Sequence, residues 1–315
     1  MTAIIILNWN GADDTLMCLD SLSRADGSFF VVIADNGSTD DSIGRIKEFI
    51  SASSMDITLL EMNANLGFAR GNNRGIAYAA KRNPDSYLLL NNDTEVTPDF
   101  LAKLVDFQNN NPKYRVLTPR INFYYRKNII WNCGGRIQCG FRRYFFAGCD
   151  ESKAVGREYY PITFVTGCAL FFMPDVLNAD GSLFTEKFFF GEEDFDFSLR
   201  MKRNRKRMAC VTDALIYHKV GAANASHNIP GKIYLHLLNR YIDIRLHYGK
   251  LFVMMWRLIN KPISFRHLKR EYGTAGEALS KLRQLENESS LKDGVTEEDF
   301  RKLVVQGNYF DEKDS

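Results

Sequence analysis

The sequence lacks both of the glycine-rich phosphate loops that mark nucleotide binding in many α/β proteins. Its first strand runs into Asn8-Trp9-Asn10-Gly11, not a G-x-G-x-x-G turn, which disfavours a dehydrogenase, and no G-K-[ST] loop of Walker type occurs. Long apolar runs are missing too. The longest near the end, residues 251–256, is broken by Arg257 and falls far short of the roughly 20 residues a spanning helix needs. Neither sign of charge is in large excess: 41 basic against 38 acidic residues leave a net +3, so charge offers no argument for a nucleic-acid partner and none is expected. The six cysteines, at 18, 133, 139, 149, 168 and 210, have neither close-paired metal spacing nor the density of a disulfide scaffold, and are expected to be reduced thiols inside a cell. No basic or long apolar leader and no small-residue cleavage site precede the first strand, so the expected location is cytoplasmic.

What the chain does hold is alternation. With 315 residues it is long enough to bury a full core. Ile4-Ile5-Ile6-Leu7 reads as a buried strand, and after the Asn10-Gly11 turn Leu16, Leu19 and Leu22 follow at helical spacing. Residues 29–33 form a second apolar run ending at Asp35, after which Ser38 and Asp41 make a Ser-x-x-Asp capping signal for a helix carrying Ile43, Ile46 and Ile50. Residues 57–60, 68–81 and 87–90 continue as strand, helix and strand, and Thr97 with Pro98 opens a helix with Leu101, Leu104 and Val105 inward. Four strands alternating with helices predict a mainly parallel sheet of nucleotide-binding type. Over 115–161 the periodicity weakens, and Gly, Arg and aromatic residues predict irregular structure near a binding face. Residues 164–173 read as a strand-like run interrupted by Gly167, and 208–211 and 214–217 as two short strands ahead of His218.

Two places carry chemistry. The fourth strand hands over to Asn91-Asn92-Asp93-Thr94-Glu95, delivering a carboxylate at a strand's carboxyl end, where open α/β sheets bind ligands. An Asp there is also a common turn former or helix cap. With no glycine-rich cradle to neutralise a diphosphate, Asp93 and a divalent cation are the candidates for that task. The second place, Glu192-Glu193-Asp194-Phe195-Asp196, follows the aromatic run Phe188-Phe189-Phe190 at a predicted helix start. Burial there raises a carboxylate pKa toward usefulness as a base, whereas acidic residues also favour a first helical turn through the dipole alone. His218 is either a hydrogen-bonded structural residue or, with Asp93, part of a metal site.

Taken in order, five segments make residues 1–240 resemble the family 2 inverting glycosyltransferases of GT-A fold, in the branch that includes rhamnosyltransferase-like enzymes. They are Ile6-Leu7-Asn8-Trp9-Asn10, Val32-Ile33-Ala34-Asp35-Asn36-Gly37-Ser38-Thr39-Asp40, Asn65-Leu66-Gly67-Phe68-Ala69-Arg70-Gly71-Asn72-Asn73, Leu90-Asn91-Asn92-Asp93-Thr94, and 191–200 followed by His218. The resemblance implies an α/β fold with a Rossmann-like, mainly parallel sheet flanked by helices. It further implies a catalytic domain over 1–231, with a nucleotide-sugar half to about 114 and an acceptor half from about 115, and a helical extension over 232–315. Asn8, Trp9, Asn10, Asp35, Gly67 and Asn92 would form the donor site, with Trp9 beside the base and Asp35 accepting the imide N–H that uracil and thymine share.

By the same resemblance Asp93 stands in an Asp-x-Asp metal motif whose first acid is Asn91 in this chain, leaving Asp93 to hold Mg²⁺ or Mn²⁺ with His218 as a further ligand. Asp194 matches the general base, with Glu193 its nearest competitor, and Arg200 is expected to pair with Asp196 or a phosphate. The implied reaction is a metal-assisted single displacement, with inversion, from a UDP- or dTDP-sugar, rhamnose foremost, to a hydroxyl of a polysaccharide or lipid-linked glycan. The alternatives are a sugar nucleotidyltransferase and a catalytically silent carbohydrate-binding or assembly subunit. Beyond 232 the sequence reads as helical, with Leu235, Leu238, Ile242 and Leu246 on one stripe, and the basic, apolar stretch 251–270 is compatible with peripheral contact at the inner face of an anionic membrane.

Overall fold

The computed structural model describes residues 1–154, 156–220 and 229–305. Strands β1 (Thr2–Asn8), β2 (Phe29–Asp35), β3 (Ile57–Glu61) and β4 (Ser86–Asn91) lie parallel in the order β3-β2-β1-β4. Helices α1 (Ala12–Leu22), α2 (Ser42–Ala52) and α3 (Phe68–Ala79) connect them. Successive strand residues point to opposite faces, so Ile4, Ile6, Val31 and Ile33 pack with Leu19, Leu22 and Ile46 of α1 and α2. Ile5 and Val32 instead meet Ile76 and Ala79 of α3. Both faces being covered explains why these strands read as unbroken apolar runs.

The sheet then grows across β4. In chain order come β5 (Thr94–Val96), α4 (Phe100–Asn110), β6 (Tyr114–Phe123), β7 (Arg126–Asn132), β8 (Gly135–Gln138), β9 (Phe141–Tyr144), β10 (Tyr159–Ile162), β11 (Ala169–Phe172), α5 (Glu193–Arg203) and β12 (Arg207–His218). The full order is β10-β12-β6-β11-β4-β1-β2-β3, with β5 on β12 and β7 on β6. Only β11 and β10 in that row run against the rest, so the sheet is mixed but mostly parallel. β8 and β9 make a separate hairpin.

Several local expectations are corrected. Residues 115–161 are not irregular: they hold β6, β7, β10 and the β8–β9 hairpin. β6 is central, yet its pattern is broken by Arg120 and Asn122, which are buried because Glu151 pairs with the first at 3.1 Å and accepts from the second. Residues 207–218 form one strand, not two, with a register shift between Val211 and Leu215. Neither Ser38 nor Thr97 caps its helix; Asp41 and Asp99 occupy those positions, and the Ser38 hydroxyl donates to Asp35.

The C-terminal part is helical: α6 (Ile229–His247), α7 (Lys250–Tyr272), α8 (Ala275–Leu291) and the short α9 (Glu297–Phe300). Leu235, Leu238 and Ile242 are buried in a core shared with Phe188 and Phe195, so α6 packs directly on the segment carrying α5. Residues 306–315 of the expected helical extension lie outside the described residues.

Candidate active site

Gly191 and Glu192 both adopt left-handed backbone, at φ +84° and +70°, and this turn aims the start of α5 into a cavity of about 550 Å³. A Cβ on Gly191 would meet the His236 ring at 2.8 Å, which explains the glycine. Trp131, Arg142, Thr166, Glu193, Asp194 and His236 line the cavity. Glu192 is buried and paired with Arg142 at 3.0 Å and with Arg240. Burial opposes its charge, but the two guanidinium groups and His236 together hold its carboxyl below the usual range.

Asp194 is in a different electrostatic position. Its side chain is 17 % exposed, and its only cationic contact is Arg142 at 3.6 Å among the described residues. Burial pushes its carboxyl up to about 6, with Glu192 adding to the rise, while Arg142, Arg240 and a hydrogen bond from the Gly167 backbone oppose it. Glu193 goes further, to about 8, through burial and then the neighbouring Asp194 charge. Near neutral pH the pair thus separates into an ionised Asp194 and a neutral Glu193, the arrangement in which Asp194 can accept a proton.

The Asp93 side is close by. Gly167, bonded to Asp194, is followed by Cys168, whose carbonyl accepts the Asn91 N–H at 2.8 Å. Trp131 lines the Asp194 cavity and also stacks edge-on against His218, ring centroids 4.4 Å apart. His218 Nε2 lies 3.0 Å from Asp93 Oδ1, yet Oδ1 of Asp93 and Nδ1 of His218 are buried without a well-formed hydrogen bond among the described residues. One carboxylate and one imidazole, incompletely satisfied, fit a divalent cation completed by ligand oxygens, and suit Mn²⁺ better than Mg²⁺. Among the described residues, the group of three acidic or imidazole side chains with ligand atoms within 4.8 Å lies elsewhere, at Asp196, Asp243 and His247.

The predicted donor-site residues follow the carboxyl ends of the parallel strands, Asn8, Trp9 and Asn10 at β1, Asp35 at β2, Gly67 between β3 and α3 and Asn92 after β4, with unequal freedom. Trp9 is 44 % exposed and lines an apolar cleft with Asn65, Gly67, Phe189 and Phe190, so it is not a core tryptophan. Gly67 stands at φ +81°, where a Cβ would lie 2.2 Å from the Phe189 carbonyl oxygen. Asp35 is fully buried and accepts from Asn8 Nδ2 at 2.7 Å, from the Ser38 hydroxyl at 2.6 Å and from the Ser38 N–H at 2.9 Å. Asn8 also accepts from Thr15, Asn10 accepts the Thr39 N–H, and Asn92 donates to Thr15 at 3.1 Å. These amides therefore brace the loops that follow β1 and β4. Arg200 is corrected: its guanidinium donates to the Val176 and Leu183 carbonyls, not to Asp196 or an open phosphate position.

Residues 3–180, more than half of the chain, match the family model described as Glycosyl transferase family 2. The chain belongs to that family. A curated relative, the low-salt glycan biosynthesis hexosyltransferase Agl10 of Haloferax volcanii, is 26 % identical over 246 residues, spanning 76 % of this chain and 74 % of that protein. Among solved structures, this glycosyltransferase is similar to the mannosyltransferase PcManGT from Pyrobaculum calidifontis, in complex with GDP-Man and Mn²⁺. The TM-score is 0.56 at 15 % identity, over 92 % of this chain and 75 % of that one. It also resembles GalNAc-T7 with UDP, GalNAc and Mn²⁺, at TM-score 0.62 and 14 % identity, over 91 % and 55 % of the two chains. With S. aureus TarS the TM-score is 0.55 at 16 % identity; 84 % of this chain matches, but only 43 % of TarS. These likenesses establish a GT-A-like fold.

Several residues around the Asp194 cavity carry no individual sequence signal. Trp131 and Arg142 fall within 115–161, where composition predicts only irregular structure near a binding face, and His236 and Arg240 have no local signal. The Gly-Arg-aromatic composition around Arg142 was the available hint.

Proposed function

We propose that this family 2 glycosyltransferase moves a hexosyl group from a nucleotide-diphosphate-sugar to a hydroxyl of a glycan or lipid-linked glycan, with inversion, and that Asp194 is the base. One observation carries the reading: Asp194 and the Asp93–His218 pair flank one region, joined by Trp131 on one side and Gly167-Cys168 on the other. Asp194 removes the acceptor proton as the hydroxyl oxygen attacks the anomeric carbon and the bond to the diphosphate breaks. Arg142 holds the Asp194 carboxylate in place and Glu192 anchors Arg142. Asp93 and His218 would hold a divalent cation, which supplies stabilisation of the departing diphosphate when bound.

On the donor side Trp9 offers a flat, exposed face for a base. The Asp35 carboxylate is fully buried and already accepts three hydrogen bonds from Asn8 and Ser38, so it holds the end of β2 in place. The preference for UDP- or dTDP-linked donors comes from the motif resemblance. Support for the hexosyl class comes from the curated relative, whose name is that of a hexosyltransferase; rhamnose rests on the motif resemblance alone.

The test is thermal-shift screening of UDP-, dTDP- and GDP-sugars with and without Mn²⁺, followed by transfer assays with the stabilising donor. A cation-dependent shift by a uridine or thymidine sugar supports the reading. Stabilisation by GDP-sugars alone would refute the preference for UDP- or dTDP-linked donors, and donor binding without any transfer or donor hydrolysis would favour a silent binding subunit.

A further inference from the structure

Helix α7 has two faces of opposite kind. Val253, Trp256, Asn260, Ser264 and Leu268 are buried. On the other side Leu251, Met254, Met255, Leu258, Ile259 and Ile263 are 39 % to 69 % exposed. Their spacing of three and four residues sets them in one stripe along the helix. Single exposed apolar residues are ordinary; six in a stripe on one helix mark a surface that meets something.

Charge decides between the possible occupants. Residues 250–270 contain six basic residues and no acidic one. Arg257 bonds serine side chains of α8, Lys261 pairs with Glu286 at 3.0 Å and Arg270 with Glu271 at 2.7 Å, while Lys250, Arg266 and Lys269 are exposed and form no ion pair among the described residues. A second copy docked by two-fold symmetry would set this basic face against itself. A sheet of lipid phosphates would match both the stripe and its cations. No helix among the described residues is long and apolar enough to cross a membrane, so contact means lying on the surface.

We propose that the outer face of α7 seats this enzyme on an anionic bilayer, its six apolar side chains in the headgroup–acyl boundary and Lys250, Arg266 and Lys269 at the phosphates. The helix is placed to link that surface to the site. Trp256, on its buried side, stacks edge-on to Tyr241 of α6, the helix that carries His236 and Arg240, and touches Phe141, next to Arg142. An acceptor carried on a membrane lipid would thus be presented one helix away from the cavity. That last step rests on the transfer reading above; membrane seating does not.

The experiment is co-sedimentation of the full chain with vesicles of phosphatidylcholine alone or with one third phosphatidylglycerol, at low and high salt. The expected result is binding to the anionic vesicles only, weakened by salt. Replacing Lys250, Arg266 and Lys269 by Gln should lower binding on the order of a hundredfold. M255E with L258E should lower it by about tenfold or more, with an unchanged thermal melt because both side chains are exposed. Failure to bind anionic vesicles, equal binding to both vesicle types, or undiminished binding by the M255E/L258E variant overturns the proposal. So does a dimer in light scattering that the same variant dissociates, since the stripe would then be a self-association face. Loss of transfer with vesicle binding intact strikes the catalytic reading only.

Discussion

Trp131 stands edge-on to His218, with ring centroids 4.4 Å apart, while its other surface lines the cavity faced by Asp194. This one indole ties the two acidic centres together: His218 is the neighbour of Asp93, and Trp131 comes from the strand beside β6.

Asp194→Asn keeps the shape of the side chain and removes its basicity. Transfer should fall by about 10²- to 10⁴-fold, the usual contribution of a positioned base, with donor affinity unchanged by calorimetry. In the unaltered enzyme, transfer should rise with pH through about 6, because the raised Asp194 carboxyl must lose its proton before it can accept one. A flat profile between pH 5 and 7, or an Asn variant of full activity, removes Asp194 from the base role.

Asp93→Ala should abolish the part of donor affinity that depends on Mn²⁺ and leave the metal-independent part intact. Titration calorimetry of the chosen donor with and without cation reads both. His218→Ala should have the same sign and a smaller size, since a carboxylate offers the harder, charged ligand. Equal donor affinity with and without cation in the parent enzyme would mean that the pair holds no functional metal.

Gly67→Ala should destabilise the fold by about 1–3 kcal/mol, because the residue sits at φ +81° and its new methyl would meet the Phe189 carbonyl at 2.2 Å. Gly44, in α2 with nothing within 4 Å of its built Cβ, is the control; its change to Ala should be neutral or stabilising by about 0.5–1 kcal/mol. Urea unfolding of the two variants side by side distinguishes them, and a harmless Gly67 change would show that the turn relaxes freely.

Glu193 makes stability depend on pH. Its folded-state carboxyl is raised from 4.5 to about 8, so its contribution is fully present below about 4.5 and is lost as pH rises through about 8. Glu193→Gln cannot ionise, and the difference in unfolding free energy between variant and parent should grow in the variant's favour from pH 5 to 8. Parallel curves over that window would show that Glu193 is ionised without penalty.

Within the chain itself, the first hundred residues were legible because each strand and helix there carries its own periodicity: Ile4 to Leu7 and Leu16, Leu19 and Leu22 need no distant partner to be read. The acids Asp93 and Asp194 were also legible, as carboxylates where an apolar run ends. β6 was hidden, because Arg120 and Asn122 look like loop residues until the fold brings Glu151 to pair with the first and accept from the second.

Composition and periodicity determined the alternating sheet, the two acids and the basic, apolar character of α7, since these are properties of neighbours along the chain. Tertiary structure alone decided that Arg142 from a hairpin, Trp131 from β7 and His236 and Arg240 from α6 surround Asp194, and that the α7 stripe faces outward. The physical reason is that a pKa, an ion pair and an exposed face depend on which side chains the sheet order brings together from dozens of residues apart, and local pattern carries no record of that.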